Sequence, residues 1–152
     1  MSLNDEVDLL RKIPLFAKIE PTKLKLLAFT SERLNFAPGD LLCKQGDVGT
    51  TAYIILEGEA DVLVNTPAGE ISVAKLGKND LVGEMAILID IPRTATVRAL
   101  GSVVTLAISK DLFFRLVTEF PQMGVEIMRE LAHRLENTTA QLREARMRQG
   151  AA

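Results

Sequence analysis

Apolar positions recur in two rhythms along the chain, and the rhythm changes twice. Between residues 3 and 30 they fall at helical spacing. In "PTKLKLLAFT", Leu24, Leu27 and Ala28 share a face behind Pro21, a residue suited to the first turn of a helix. Pro14 interrupts "LLRKIPLFAKI", so that segment is expected to break into short turns. From residue 32 to 109 the pattern becomes short β-rich runs between turn signals. Pro38-Gly39-Asp40 and Gly46-Asp47 punctuate "RLNFAPGDLLCKQGD". Two runs in "TAYIILEGEADVLVN" meet at Glu57-Gly58-Glu59, which predicts a hairpin with Gly58 in the turn. "GEISVAKLGKNDLVG" predicts a strand with Ile71 and Val73 on one face, then a turn over Gly77 to Asp80. "TATVRALGSVVTLAIS" predicts two strands around Gly101.

After residue 109 the helical rhythm returns. Ser109 is placed to cap "KDLFFRLVTEF", and Pro121 to end it and start a longer helix. On that last helix Met128, Leu131, Leu135, Thr138, Leu142 and Ala145 alternate at three and four residues. This is a weak heptad seam, which serves equally for packing on the chain's own body or for a homodimer through the C-terminal helix. The tail "RQGAA" reads as frayed. Short strands at this spacing predict an antiparallel sheet and not a parallel α/β one. The expected fold is α+β, mainly β: an antiparallel β-roll or jelly-roll with N-terminal helices (1–31), a roll (32–109) and C-terminal helices (110–148), in one domain spanning 1–152.

Composition narrows the functional classes. The chain has 152 residues, 47% hydrophobic and 25% charged, enough to bury one core. A net charge of −2 argues against direct nucleic-acid binding. No apolar run reaches membrane-helix length, and "MSLNDEVDLLRKIPLF" is not a secretory signal. Cys43 is the one cysteine; it is expected to be a buried, inert thiol, and a reducing cytoplasmic location fits. His133 is the one histidine, so no metal site of His/Cys spacing is expected. Phosphate-loop, dinucleotide and nucleophile-elbow glycine patterns are missing, and nothing enzymatic is expected.

The stretch that ordinary core does not explain is "GEMAILIDIPRTATV", residues 83–97. Gly83 allows a tight turn and close backbone approach. "EMAIL" is long enough for about one helical turn. Arg93, stiffened by Pro92, offers a planar fork of donors suited to phosphate. Glu84 cannot favourably face a phosphate but can accept from a hydroxyl. A ribose phosphate supplies both partners at once. Taken singly, Gly-Glu is a turn with a solvated acid, Pro-Arg a loop with a surface cation, and Met85, Ile87 and Leu88 core. Their order and spacing among the strands carry the case.

This run resembles the phosphate-binding cassette of cyclic nucleotide-binding domains, whose pattern is Gly-Glu, a small-apolar turn, a few variable residues, then Arg, a small residue, Ala, Thr or Ser, and Val. "PGDLLCKQGD" and "AYIILEGEADV" look like that family's early strands, and the flanking helices like its helical bundle and hinge. The resemblance covers nearly the whole chain. It implies a cyclic nucleotide as ligand, cAMP or cGMP, with no metal. It assigns Glu84 to the ribose 2′-hydroxyl and Arg93 to the cyclic phosphate. It assigns backbone groups to Gly83, Met85, Ala86 and Thr94, and close ligand approach to Ala95. Val73 and Ile71 are candidates for the base pocket, and Arg134 for a purine lid, with Arg129 and His133 behind it. One departure is Val82, where the family usually has an aromatic residue. Thr94 resembles cGMP-selective members but also occurs in cAMP-preferring ones; the expectation leans to cAMP. The implied mechanism is coupling of ligand binding to movement of the C-terminal helices, with a protein effector or fused effector domain as output. A sensor fragment of a transcription regulator or of a cyclic-nucleotide-gated channel, and a structural relic that no longer binds, stay open. A cupin-type enzyme ranks below them for want of histidines.

Overall fold

The structure is a computed structural model. It describes residues 3–150 apart from 14, 15 and 18, and without the side chains of 3, 4 and 85. The Pro14 break thus lies outside the described residues. Two helices come first, α1 (Leu3–Arg11) and α2 (Pro21–Thr30), the second opening on its proline as expected. Eight strands follow: β1 (Glu32–Phe36), β2 (Leu41–Cys43), β3 (Thr51–Glu57), β4 (Ala60–Thr66), β5 (Gly69–Leu76), β6 (Leu81–Val82), β7 (Thr96–Ala99) and β8 (Val103–Ser109). A short helix, α3 (Glu84–Leu88), is inserted between β6 and β7, and α4 (Lys110–Glu119) and α5 (Pro121–Gly150) end the chain.

The strands form two antiparallel four-stranded sheets, ordered β1-β8-β3-β6 and β2-β7-β4-β5. Consecutive strands therefore cross between sheets, except β4 and β5, which pair as neighbours in the second sheet. Leu42, Ile55, Ala60, Val82, Val97, Ala99 and Val103 fill the space between them, with Phe36, Cys43, Tyr53, Val62 and Leu76 packed around that cluster. The turn chemistry read from sequence sets the connections. Gly58 takes φ +93 between β3 and β4. Asp80 caps its own turn, its carboxylate accepting from Gly77 N–H at 2.8 Å. The Ser109 hydroxyl accepts from Leu112 N–H at 3.2 Å, capping α4 where β8 ends.

Four expectations are corrected. The runs on either side of Gly58 do not pair as a hairpin: β3 joins β8 and β6 in one sheet, β4 joins β7 and β5 in the other, and the Gly58 turn carries the chain between them. The pairing of β4 with β5 skips Val73: Val62 faces Ala74 and Leu63 faces Ser72. This bulge interrupts the alternation that put Ile71 and Val73 on one face. The tail is not frayed from Arg148; helix runs through Gly150, and Arg148 pairs with Glu144 one turn back at 2.6 Å. Cys43 is half-buried and not fully enclosed. The chain divides into two compact units, 1–115 and 116–152. Among the described residues no helix is long and apolar enough to cross a membrane.

Candidate ligand site at the inserted helix

β6 delivers the chain into Gly83, whose φ of +83 turns it directly into α3. A side chain at 83 would be strained by that angle and would strike the Arg93 guanidinium and approach the Thr51 carbonyl to 3.3 Å. Glu84 opens α3 and is 3% exposed; Ala86 and Ile87 are buried behind it. The loop after α3 passes Asp90, at φ +56, and returns to β7 through Pro92 and Arg93.

Arg93 is 7% exposed, an unusual place for a cation. Its backbone is pinned from both sides by the loop between β2 and β3. Arg93 N–H donates to the Asp47 carbonyl at 2.8 Å, and Gly46 N–H donates to the Arg93 carbonyl at 2.9 Å. Its guanidinium is pinned as well. Nη1 donates to the Gly83 carbonyl at 2.9 Å and Nη2 to the Thr51 carbonyl at 2.6 Å. Gly49 is the wall behind it: an added Cβ would lie 2.8 Å from Nε and 2.6 Å from the Ala86 Cβ. Among the described residues no carboxylate forms an ion pair with Arg93. The guanidinium is thus held by neutral acceptors, with N–H groups to spare from its five.

The Cys43 thiol reports the charges around it. Burial pushes it above its ordinary 9.0; Arg93 pulls it down, while Asp47 and Glu84 push it up. Acid, guanidinium and thiol therefore share one neighbourhood. The thiol also donates a long contact to the Ala95 carbonyl, 3.8 Å. Burial raises the Tyr53 phenol above 10.0, with Arg93 opposing.

Gly83, Glu84, Ala86 and Arg93 come together at this point. Ala95 is half-buried beside them, while Thr94 is exposed. Met85 is helical, with its side chain outside the described residues. Ile71 and Val73 lie on β5, the last strand of its sheet, and are 48% and 50% exposed; Ile71 faces Val64. Arg134 pairs with Glu130 within α5 at 3.1 Å. The sequence reading missed Asp47, Gly49 and Thr51. Two of the three act through backbone carbonyls, which no residue type encodes. The two glycines of "QGDVG" were the available signal of close approach there.

An antiparallel roll carrying a buried acid and a buried cation around an inserted turn and helix has the β-roll architecture of cyclic nucleotide-binding domains. The profile of the cyclic nucleotide-binding domain matches residues 33–120, more than half of the chain. The chain belongs to the cyclic nucleotide-binding domain family. It is 37% identical over 109 residues to a cAMP-dependent protein kinase regulatory subunit of Blastocladiella emersonii, covering 71% of this chain and 27% of that one. Among solved structures, the catabolite activator protein of Thermus thermophilus superposes with a TM-score of 0.76 at 27% identity, over 85% of this chain and 61% of that one. The regulatory subunit of a cAMP-independent protein kinase A from Trypanosoma brucei superposes with a TM-score of 0.74 at 28% identity, over 86% of this chain and 47% of that one. This chain spans about a quarter of the regulatory subunit from Blastocladiella emersonii.

Proposed function

We propose that this chain binds cAMP, with cGMP as the second-ranked ligand, and passes the occupancy to its C-terminal helices. The carrying observation is the buried Arg93 guanidinium, fixed by the Gly83 and Thr51 carbonyls and without a carboxylate partner among the described residues. A cation kept out of water with spare N–H groups is a receptor for an anion, because the anion restores the Coulomb energy that burial costs. The cyclic phosphate fills that role. Glu84 takes the ribose 2′-hydroxyl, which donates to its carboxylate. Gly83, Met85, Ala86 and Thr94 supply backbone groups, and Ala95 leaves room for the ring. Ile71 and Val73 offer exposed apolar surface to the purine, and Arg134 serves as its lid.

Family membership does not by itself fix the ligand, since one similar structure is the regulatory subunit of a protein kinase A described as cAMP-independent. The residues at 84 and 93 do the discriminating. The route outward is supported by a backbone link. Thr51 holds Arg93, and the neighbouring Thr50 carbonyl accepts from Lys110 N–H, the first residue of α4, at 2.9 Å. The Lys110 ammonium also pairs with Asp90, beyond α3, at 3.1 Å. A ligand that binds one arrangement of this link better than another shifts the population of α4 positions. The output is a partner protein or an effector domain elsewhere in a longer chain, with self-association through α5 as the simplest form. A cytoplasmic location accords with this role.

Thermal melting with cAMP, cGMP, 5′-AMP and adenosine tests the ligand reading. Ligand in hundredfold excess over its Kd stabilises by about 2.7 kcal/mol. The expected order of the melting shift is cAMP, then cGMP, then the two non-cyclic compounds. Equal shifts with all four, or none with any, count against the proposal.

A further inference from the structure

In "RTATV", Val97 packs in the core, while Arg93, Thr94 and Ala95 belong to the ligand reading. Thr96 is left over. It is buried on β7, where a valine would satisfy packing, so its hydroxyl needs a reason. The Thr96 hydroxyl oxygen accepts from Gln45 N–H at 3.0 Å. β7 begins at Thr96, which pairs with Leu63 of β4; before it the chain bends over Thr94 and Ala95. Hydrogen-bonding positions alternate along a strand, so the next one on this side of β4 is Asn65. β7 has no residue left to meet it, and Asn65 N–H donates to Gln45 Oε1 at 2.9 Å. Gln45 is thus stitched twice, by its backbone to β7 and by its side chain to β4.

Gln45 opens the segment that holds Arg93. Gly46 N–H donates to the Arg93 carbonyl at 2.9 Å, and the Asp47 carbonyl accepts from Arg93 N–H at 2.8 Å. Gly49 walls the guanidinium, and the Thr51 carbonyl accepts from Nη2. Asp47 N–H closes a turn on the Lys44 carbonyl at 3.1 Å, with Gly46 at φ +90 inside it. A shift of Gln45 therefore passes through one tight turn to the Arg93 contacts. The far end of the segment is secured by β3, which lies between β8 and β6. The near end leaves β2, a three-residue edge strand with a register shift between Leu41 and Cys43. That ladder is short, and the bonds of Gln45 are what add to it.

We propose that Thr96 and Gln45 are positioning residues for Arg93: together they clip the 45–51 segment to β7 and β4, so that the guanidinium is preset before an anion arrives. Neither touches the ligand in this account; both act through the loop. The consequence for cAMP affinity rests on Arg93 being the phosphate site.

The test compares the unaltered chain with Thr96→Val, which keeps the shape and suits a strand, and Thr96→Ser, which keeps the hydroxyl. The first readout needs no ligand: hydrogen exchange at the Arg93 Nε–H, followed by NMR and assigned by its loss in Arg93→Lys. Exchange is expected to be several-fold faster in Thr96→Val and restored in Thr96→Ser, at a similar melting temperature. The second is calorimetric titration with cAMP. Thr96→Val is expected to bind roughly tenfold more weakly, because it leaves the Gln45 N–H unmatched, and Thr96→Ser about as well as the unaltered chain. Gln45→Met, at a half-buried loop position, is expected to act in the same direction by a smaller factor, since water can reach Asn65 N–H; it serves should Thr96→Val fail to fold. Arg93 exchange that is the same in the folded variants as in the unaltered chain makes Thr96 and Gln45 ordinary packing residues and overturns the inference, while the cAMP reading stands. Faster exchange in a chain that binds no cyclic nucleotide sinks the cAMP reading and leaves the positioning role in place.

Discussion

The inserted turn-and-helix and the last helix violate the usual rule of burial in opposite senses. At the first, charge is inside: Glu84 and Arg93 are nearly sealed from water. At the second, grease is outside: Met128, Leu135 and Leu142, spaced by seven, are 58 to 68% exposed. Each is costly as it stands, because buried cations and exposed apolar stripes both lack something to face. The missing counterpart differs. A rigid, backbone-pinned cation calls for a small anion of fixed shape, whereas a stripe at heptad spacing calls for another helix. The contrast teaches that one short chain carries two surfaces built on opposite chemistry, one suited to a small anion and one to a helix.

The sharpest way to break this comparison is Arg93→Ala. Removing the cation from a buried anion site is expected to weaken cAMP binding by about 2–5 kcal/mol, read by calorimetry. An unchanged affinity in a folded variant moves the phosphate elsewhere. Gly49→Val comes next. Its side chain enters the space of the Arg93 Nε and the Ala86 Cβ, so it is expected to cost roughly 1–3 kcal/mol of stability by overpacking, read by denaturant unfolding. Equal stability would mean that the wall behind the guanidinium yields freely. Glu84→Gln is expected to lose less binding than Arg93→Ala, since an amide oxygen still accepts from the ribose; the reverse order exchanges the two roles.

The other half of the comparison is tested by Leu135→Glu. Stability of the isolated chain is expected to stay within about 0.5 kcal/mol, as for other exposed positions. Sedimentation is expected to show weaker self-association. A large loss of folding stability would mean that Leu135 packs on its own chain. The smallest effect concerns alkaline pH. The Cys43 thiol and Tyr53 phenol are both raised by folding, so the folded state holds protons that the unfolded state releases. Their contribution is whole below about pH 9 and fades as pH rises through the folded values. Cys43→Ala is expected to flatten part of that decline in a pH series of melting curves, and an equally steep decline assigns it to other groups.

How much of this was legible in the sequence follows from what each feature depends on. The roll, the proline-led helix at 21, the Ser109 cap and the turn at Gly58 rest on local residue chemistry, and the chain states that chemistry openly; that the Gly58 turn carries the chain into the other sheet, and not into a hairpin, is decided by packing. Glu84 and Arg93 stood out because acid, cation and glycine keep a fixed separation within one segment. The restraint on Arg93 was not legible. It comes from carbonyls at 47 and 51, more than forty residues away along the chain, and a carbonyl is the same on every residue. The β5 bulge was hidden for a similar reason: it is a property of the pairing with β4, while the alternation in "GEISVAKL" reads as unbroken. The end of α5 was misread because terminal glycine and alanine outweighed the Glu144–Arg148 pair that extends the helix.

The most direct measurement is a calorimetric titration of the unaltered chain and Arg93→Ala with cAMP, side by side. The account predicts saturable heat at one site per chain for the first, and a Kd raised at least thirtyfold, about 2 kcal/mol, for the second. Saturable binding of equal strength in both, or no heat from either, would contradict the claim that the buried guanidinium is the seat of the anion.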